Sequence, residues 1–446
     1  MTTIGARLET SLASVVFFGL ALMVAVLRPA FEHGWNLRAV TAGMIDFALN
    51  VYYPSRAFLD GVSPYDRATY LSGYPVDTAF PPYMPVTLLL HLPFAWLPFH
   101  ESALVYLFMS VALVTLLAWL SLRFSGGQSS LSMVLVIAAL IVLSRPGRQL
   151  LVLGQPAIEF ILASYLALYY AHRAPIVSGL GLALTLIKPT FGLPLAALML
   201  VRSRNNTAVA FGATFSMLIN LPVLTILAFR AGSGSALWHD LVDTLRANQQ
   251  DLSFWVVNPA TSFTRVDITS LISRIVGYPL NAPAQLAVML AVLTLAAVAI
   301  HRSERSRGDH SVCAMDSILC LAILLSVYHQ AYDLLLLTMP FAVVTFRRLP
   351  TIFNTKRFRL LLLGLYAMLA ANYASSVSVL TRFHLLSPGY EPTSPTGGLW
   401  LLLVSLNGVA LVLSFVLYLV GVLRTAPASG RYNPSAGRER LPATYY

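Results

Sequence analysis

Apolar residues in this chain fall into long, nearly unbroken runs, and most polar residues are gathered between them. A helix needs about 20 apolar residues to cross a bilayer core. The runs predict about twelve membrane-spanning helices, near residues 11–28, 84–98, 101–122, 130–144, 156–171, 176–201, 207–229, 281–300, 312–327, 331–346, 358–380 and 398–423. This is the pattern of an all-α polytopic membrane protein: one integral domain over 1–423, then a polar tail, 424–446, expected to be cytoplasmic and disordered. Pro93 and Pro98 interrupt the 84–98 run. Pro189, directly after Lys188, should split 176–201, because proline lacks an N–H and clashes with the preceding turn. No internal period of 20–50 residues points to a repeat array.

Composition removes the competing classes. Of 446 residues, 57% are apolar and 11% charged, against roughly 25% charged in a soluble domain. Too few charges are present to coat a soluble fold of this length. The net charge of +11 reads as the positive-inside bias of cytoplasmic loops, not as a nucleic-acid surface. Arg302, Arg305 and Arg307, then Arg347, Arg348, Lys356, Arg357 and Arg359, then the tail arginines, mark the cytoplasmic side. Counting back leaves two large external loops, 29–83 and 230–280, and a cytoplasmic N-terminus. The first run follows a single Arg7 and carries no small-x-small cleavage site, so it reads as an uncleaved span. Cys313 and Cys320 lie seven apart in an apolar run and read as core residues. No GxxxxGK[ST] motif occurs, so no nucleotide cassette is expected.

Candidate chemistry stands out against this apolar background. In 44–61, Ile45, Leu49, Tyr52, Tyr53 and Phe58 recur at helical spacing, which predicts an amphipathic helix along the outer membrane face. Asp46 falls in its first turn, either as a capping residue or as a general base for a hydroxyl. The Gly- and Pro-rich 61–70 and 80–85 form a rigid turned segment, in which Asp66 and Arg67 suit turn backbone groups. Glu159, after Gly154-Gln155-Pro156, and Lys188 are ionisable groups inside apolar runs, where they are costly and functional by default. Lys188 either meets a phosphate or pairs with Glu159. Tyr328-His329-Gln330-Ala331-Tyr332-Asp333 brings polar groups to a membrane boundary.

The order of these blocks resembles the polyprenyl-phosphate-dependent GT-C glycosyltransferases, and within them family GT87, the DUF2029 type. Asp60-Gly61-Val62-Ser63-Pro64-Tyr65-Asp66-Arg67-Ala68-Thr69-Tyr70, the Gly154-to-Glu159 block and Lys188-Pro189 also resemble the catalytic subunit of GPI mannosyltransferase I. The resemblance spans about residues 40–345. It implies a GT-C fold and an inverting transfer of mannose or arabinofuranose from a polyprenyl-phosphate sugar to a glycolipid or polysaccharide acceptor. It aligns the catalytic acid with Asp46. Tyr53, Arg56, Asp66, Arg67, Arg145, Arg148, Gln155, Glu159, Lys188, His329 and Asp333 are the expected substrate-binding set. Met44 stands where the GPI enzyme has the first acid of its Asp-x-Asp, and one carboxylate makes a poor cage for a divalent metal. The expected address is a bacterial plasma membrane, with the site on the external side. The competing class is a transporter or flippase for a lipid-linked or anionic substrate, which intramembrane Glu159 and Lys188 would also suit.

Overall fold

The computed structural model describes residues 2–127, 129–250, 258–304, 309–347, 355–387 and 397–425, with 349, 353, 392 and 393. Arg305, Arg307, Arg348, Asp251, Trp255 and the tail beyond Thr425 lie outside the described residues. Among the described residues the fold is helical, and the only β pairing is two isolated bridges, Arg265–Gln330 and Leu386–Pro392.

Six helices are long and apolar enough to cross a membrane: Ser11–Glu32, Phe99–Phe124, Ser203–Arg230, Ala282–Glu304, Lys356–Ser375 and Gly398–Arg424. A seventh crossing is made if Leu131–Leu143 and Arg145–Leu153 are counted as one span bent by 77°. Ser144 makes that bend: it is extended, and its Oγ accepts the Gly147 N–H at 3.1 Å. Five shorter apolar helices, Ala157–Tyr170, Pro175–Thr185, Pro189–Leu200, Val312–Ser326 and Ala331–Thr345, complete the bundle. At 1.5 Å per residue these reach only about 17–23 Å, short of a hydrocarbon core of about 30 Å.

The run 84–98 is not a crossing. It forms two short helices, Val86–Leu90 and Leu92–Ala95, turned at His91. Its proline spacing outweighs its apolar content. The 176–201 run breaks at Lys188, where Pro189 predicts it. The 44–61 helix is present with one modification: Ile45–Phe47 passes through a π-helical turn, Ala48–Tyr52, into Tyr53–Leu59. Pro54 has no N–H for the ladder, so the helix re-registers there.

Pro175–Thr185 packs between Ala157–Tyr170 and Ser203–Arg230. Gly181 permits one of these contacts: a Cβ there would lie 2.8 Å from both Ala163 O and Ala167 N. Small residues at such seams let helices approach where lipid offers no hydrophobic drive. A second apolar cluster, including Phe58, Tyr65, Tyr70, Phe80 and Tyr83, seats the 29–83 loop on Phe160, Ile187 and Leu227. Three side chains lace the neighbouring segment onto this loop. Arg230 donates to Phe58 O at 2.7 Å, Thr244 to Tyr65 O at 3.0 Å, and Asn248 to Phe80 O at 2.8 Å.

Candidate active site

Four segments converge on Asp46. Its own short helix packs on Gly154, which ends Arg145–Leu153 in the left-handed region at φ +69°. A Cβ on Gly154 would lie 2.6 Å from Phe47 Cβ and 2.8 Å from Met44 Cε. Glycine is therefore required for both backbone and space. The next residue, Gln155, hydrogen-bonds the Asp46 carboxyl. Asp46 keeps a small opening to the outside, yet protein surrounds it closely. Burial pushes its carboxyl from 3.8 up to about 6, and the Gln155 hydrogen bond and the Lys188 charge pull the other way.

Lys188 sits in extended backbone at the start of Pro189–Leu200. Its Nζ donates to Asp333 Oδ1 at 2.8 Å and stands 4.7 Å above the Phe191 ring. Asp333 Oδ2 meets His329 Nδ1 at 3.0 Å and accepts the Gln330 N–H at 3.0 Å. His329 and Asp333 are both fully buried. Edge-to-face packing on Phe191 at 4.7 Å fixes the imidazole. Four buried polar atoms in these segments have no partner among the described residues: Gln149 Oε1, Gln155 Oε1, Thr190 Oγ1 and His329 Nε2. With Nδ1–H donated to the carboxylate, Nε2 offers a lone pair in the neutral ring and an N–H in the protonated one.

Tyrosines wall the cluster. The charges of Asp46 and Asp333 both act on the hydroxyls of Tyr83, Tyr328 and Tyr332. Tyr83 is held through Met84 N–H to Ile187 O at 2.9 Å, beside Lys188, and through Tyr65 OH to Tyr83 O at 2.8 Å. On the far side the Arg265 guanidinium lies 4.8 Å over Tyr328 and pairs with Asp267 at 3.0 Å. Val266 N–H donates to His329 O at 3.0 Å, which ties this segment to the cluster.

Of the substrate-binding set expected from sequence, Gln155, Lys188, His329 and Asp333 come together with the expected catalytic Asp46. Glu159 lies alongside, where its charge reaches Tyr83. The alternative Lys188–Glu159 pair does not form. Glu159 instead meets His91 Nε2 at 3.1 Å and accepts from Tyr106 OH at 3.0 Å.

The other residues of that set are engaged elsewhere. Arg145 donates to Asn372 O at 3.1 Å, to Ser375 Oγ and to Ser375 O at 2.8 Å, which clamps the bent span. Arg148 Nε donates to Ala25 O at 3.2 Å. Arg56 pairs with Asp60 at 3.0 Å. Asp66 caps Arg67–Gly73, accepting from Thr69 N–H at 3.2 Å and Thr69 OH at 2.6 Å, and Arg67 is exposed. Tyr53 stacks on Phe99 and lines an open groove of about 510 Å³ with Met44, Ile45, Leu49 and Asp77. Among the described residues, no three His, Cys, Asp or Glu side chains converge to hold a metal ion.

Sequence reasoning missed His91, Tyr106 and Arg265. The available signals were a histidine inside the apolar 84–98 run and an arginine two residues before the Asp267 cap.

No curated protein sequence and no solved structure matches the chain. The family model for glycosyltransferase family 87 matches residues 80–327, which is more than half of the chain. Gln155, Glu159 and Lys188 lie inside the matched stretch, and Asp46, His329 and Asp333 flank it. A helical membrane bundle with a buried carboxylate–cation site fits that match, and the chain belongs to glycosyltransferase family 87, the membrane glycosyltransferases.

Proposed function

We propose that the protein transfers a sugar, mannose or a pentose such as arabinofuranose, from a polyprenyl-phosphate donor to a hydroxyl of a glycolipid or polysaccharide acceptor, with inversion. The observation that carries this reading is Asp46, a closely packed carboxyl that hydrogen-bonds Gln155, feels the Lys188 charge and is pushed by burial up to about 6. At pH 7 such a group is about 90% ionised, which suits a base working near neutrality. Asp46 takes the acceptor hydroxyl proton as the oxygen bonds to the anomeric carbon. The bond from that carbon to the phosphate oxygen breaks on the opposite face, and its electron pair leaves with the polyprenyl phosphate. Lys188 and His329 meet the charge that develops on the phosphate. Fixed polar groups at developing charge are usually the largest catalytic contribution. The lipid tail of the donor lies in the bilayer, and the positive-inside bias of the loops supports a reaction on the outer side of a bacterial plasma membrane.

The test uses purified protein, radiolabelled polyprenyl-phosphomannose or polyprenyl-phosphoarabinose, and membrane lipids as acceptors. Asp46→Asn keeps the shape and removes the base, so transfer should fall by about 10²–10⁴-fold with normal expression. Near-normal transfer by Asp46→Asn would refute the assignment.

A further inference from the structure

Asp333 joins Lys188 and His329 through one carboxylate. It lies in the first turn of a 3₁₀ helix, Ala331–Leu337, in which all seven residues are buried. Gln330 and Asp333 cap each other reciprocally, which pins the carboxylate to the backbone. Oδ1 takes the Lys188 ammonium at 2.8 Å, and Oδ2 takes His329 Nδ1 and the Gln330 N–H at 3.0 Å each. With no exposed surface and partners on both oxygens, this carboxylate is enclosed by protein.

We propose that Asp333 is a positioning residue rather than a substrate ligand: it anchors Lys188 and the His329 ring on one carboxylate and thereby sets the charge that Asp46 meets. The proposal builds on the reading of Asp46 as the base, but its test does not need that reading to hold. Lys188 is the cation that acts on the Asp46 carboxyl. The second group acting on Asp46 is the uncharged Gln155, from the turn after Arg145–Leu153, and the charge of Asp46 reaches the hydroxyls of Tyr83, Tyr328 and Tyr332, as does that of Asp333. The arginines on the adjoining Arg145–Leu153 helix are turned to Asn372, Ser375 and Ala25. On Phe99–Phe124, Tyr106 is turned to Glu159 and His100 to Thr41. With Asp333 ionised, the Lys188 ammonium is answered by a carboxylate at 2.8 Å. Without it, the ammonium falls to Asp46 alone.

The probe is a hydrophobic carbodiimide, which attacks protonated carboxyls in an apolar setting. Labelling of Asp46 is followed by mass spectrometry against pH in the full-length protein in detergent. The wild-type midpoint should lie near the value of about 6 given by burial. Asp333→Asn should lower the midpoint by about 1 pH unit, because an opposite charge then favours the ionised form. Lys188→Met should raise it, and the double variant should fall between the two. A capping role alone would lower thermal stability and leave the midpoint unmoved, and that result overturns the proposal.

Asp333→Asn leaves Lys188 unpaired and can fail to fold. In that case Lys188→Met and the double variant decide. A raised midpoint in the first, brought back down in the second, supports the proposal; identical midpoints overturn it. Transfer assays on the same samples separate the two ideas. Normal transfer by Asp46→Asn, together with shifted midpoints, would refute the base while leaving the positioning role intact. In a folded Asp333→Asn protein, transfer at pH 7 should fall about 10- to 100-fold, as expected when catalytic groups lose their placement.

Discussion

Replacing Gly154 with alanine adds a single methyl group, and the site geometry predicts a large response. At φ +69° an alanine is in the left-handed region, which costs an L-residue about 1–2 kcal/mol. The new Cβ would stand 2.6 Å from Phe47 Cβ and 2.8 Å from Met44 Cε. Ordinary carbon contacts lie at about 3.5–4.0 Å, so the two segments must part by close to an ångström. Met44 can swing its terminal carbon away, but Phe47 Cβ is held by the helix backbone. Phe47 is itself wedged among Phe94, Phe99 and Tyr106. Overpacking of this kind costs about 1–3 kcal/mol, for a total of about 2–5 kcal/mol. Movement of Ile45–Phe47 carries Asp46 away from Gln155 and Lys188, and a displacement near 1 Å costs about 10²-fold in turnover. Thermal unfolding in detergent and transfer of labelled sugar measure the two effects on one preparation. Gly154→Ser should behave like Gly154→Ala, since both add a Cβ. A Gly154→Ala protein with wild-type melting and wild-type transfer would show that the 145–153 helix does not position Asp46.

Transfer should rise with pH through an acid limb near 6, the value to which burial lifts Asp46. Stability should run the opposite way: the folded state holds this proton above the unfolded value of 3.8, so stability declines between about pH 4 and 6, by at most about 3 kcal/mol. Asp46→Asn should remove both trends, and chemical denaturation across that range checks the second. Glu159→Ala strands His91 and Tyr106, each losing its carboxylate partner. The melting temperature should drop by the equivalent of about 1–3 kcal/mol, and Glu159→Gln, which keeps an acceptor, should recover part of it. Single cysteines placed at Ser72 and Ser235 should react together with an impermeant thiol reagent in intact cells, and one at Arg302 should not; labelling of Arg302→Cys from outside would invert the topology.

Two kinds of information were readable in the sequence, and a third was not. The apolar runs and the proline at 189 announced the helices and the break at Lys188, because both act through neighbouring residues. Ionisable groups stranded in apolar stretches announced that Glu159 and Lys188 needed partners. The identity of those partners was not legible. Lys188 reaches Asp333 across 145 positions and Glu159 reaches His91 across 68, and only the packing of the bundle decides such pairings. Arg145 illustrates the converse. A buried arginine near a polar block reads as an anion ligand, yet its donors are taken by the carbonyls of a distant turn. Residues 84–98 depart from the span their apolar content predicts, because their proline spacing breaks them into two short helices.

The lacing between the 29–83 loop and the segment beyond Arg230 has an uneven mutational consequence. Each of its three hydrogen bonds runs from a side chain, Arg230, Thr244 or Asn248, to a main-chain carbonyl of Phe58, Tyr65 or Phe80. Every residue type carries that carbonyl, so the acceptor survives any substitution that preserves the backbone path. The donors have no such freedom, because each is defined by its own side chain. Sequence drift is therefore tolerated on one partner of the contact and restricted on the other, although both partners make the same bonds.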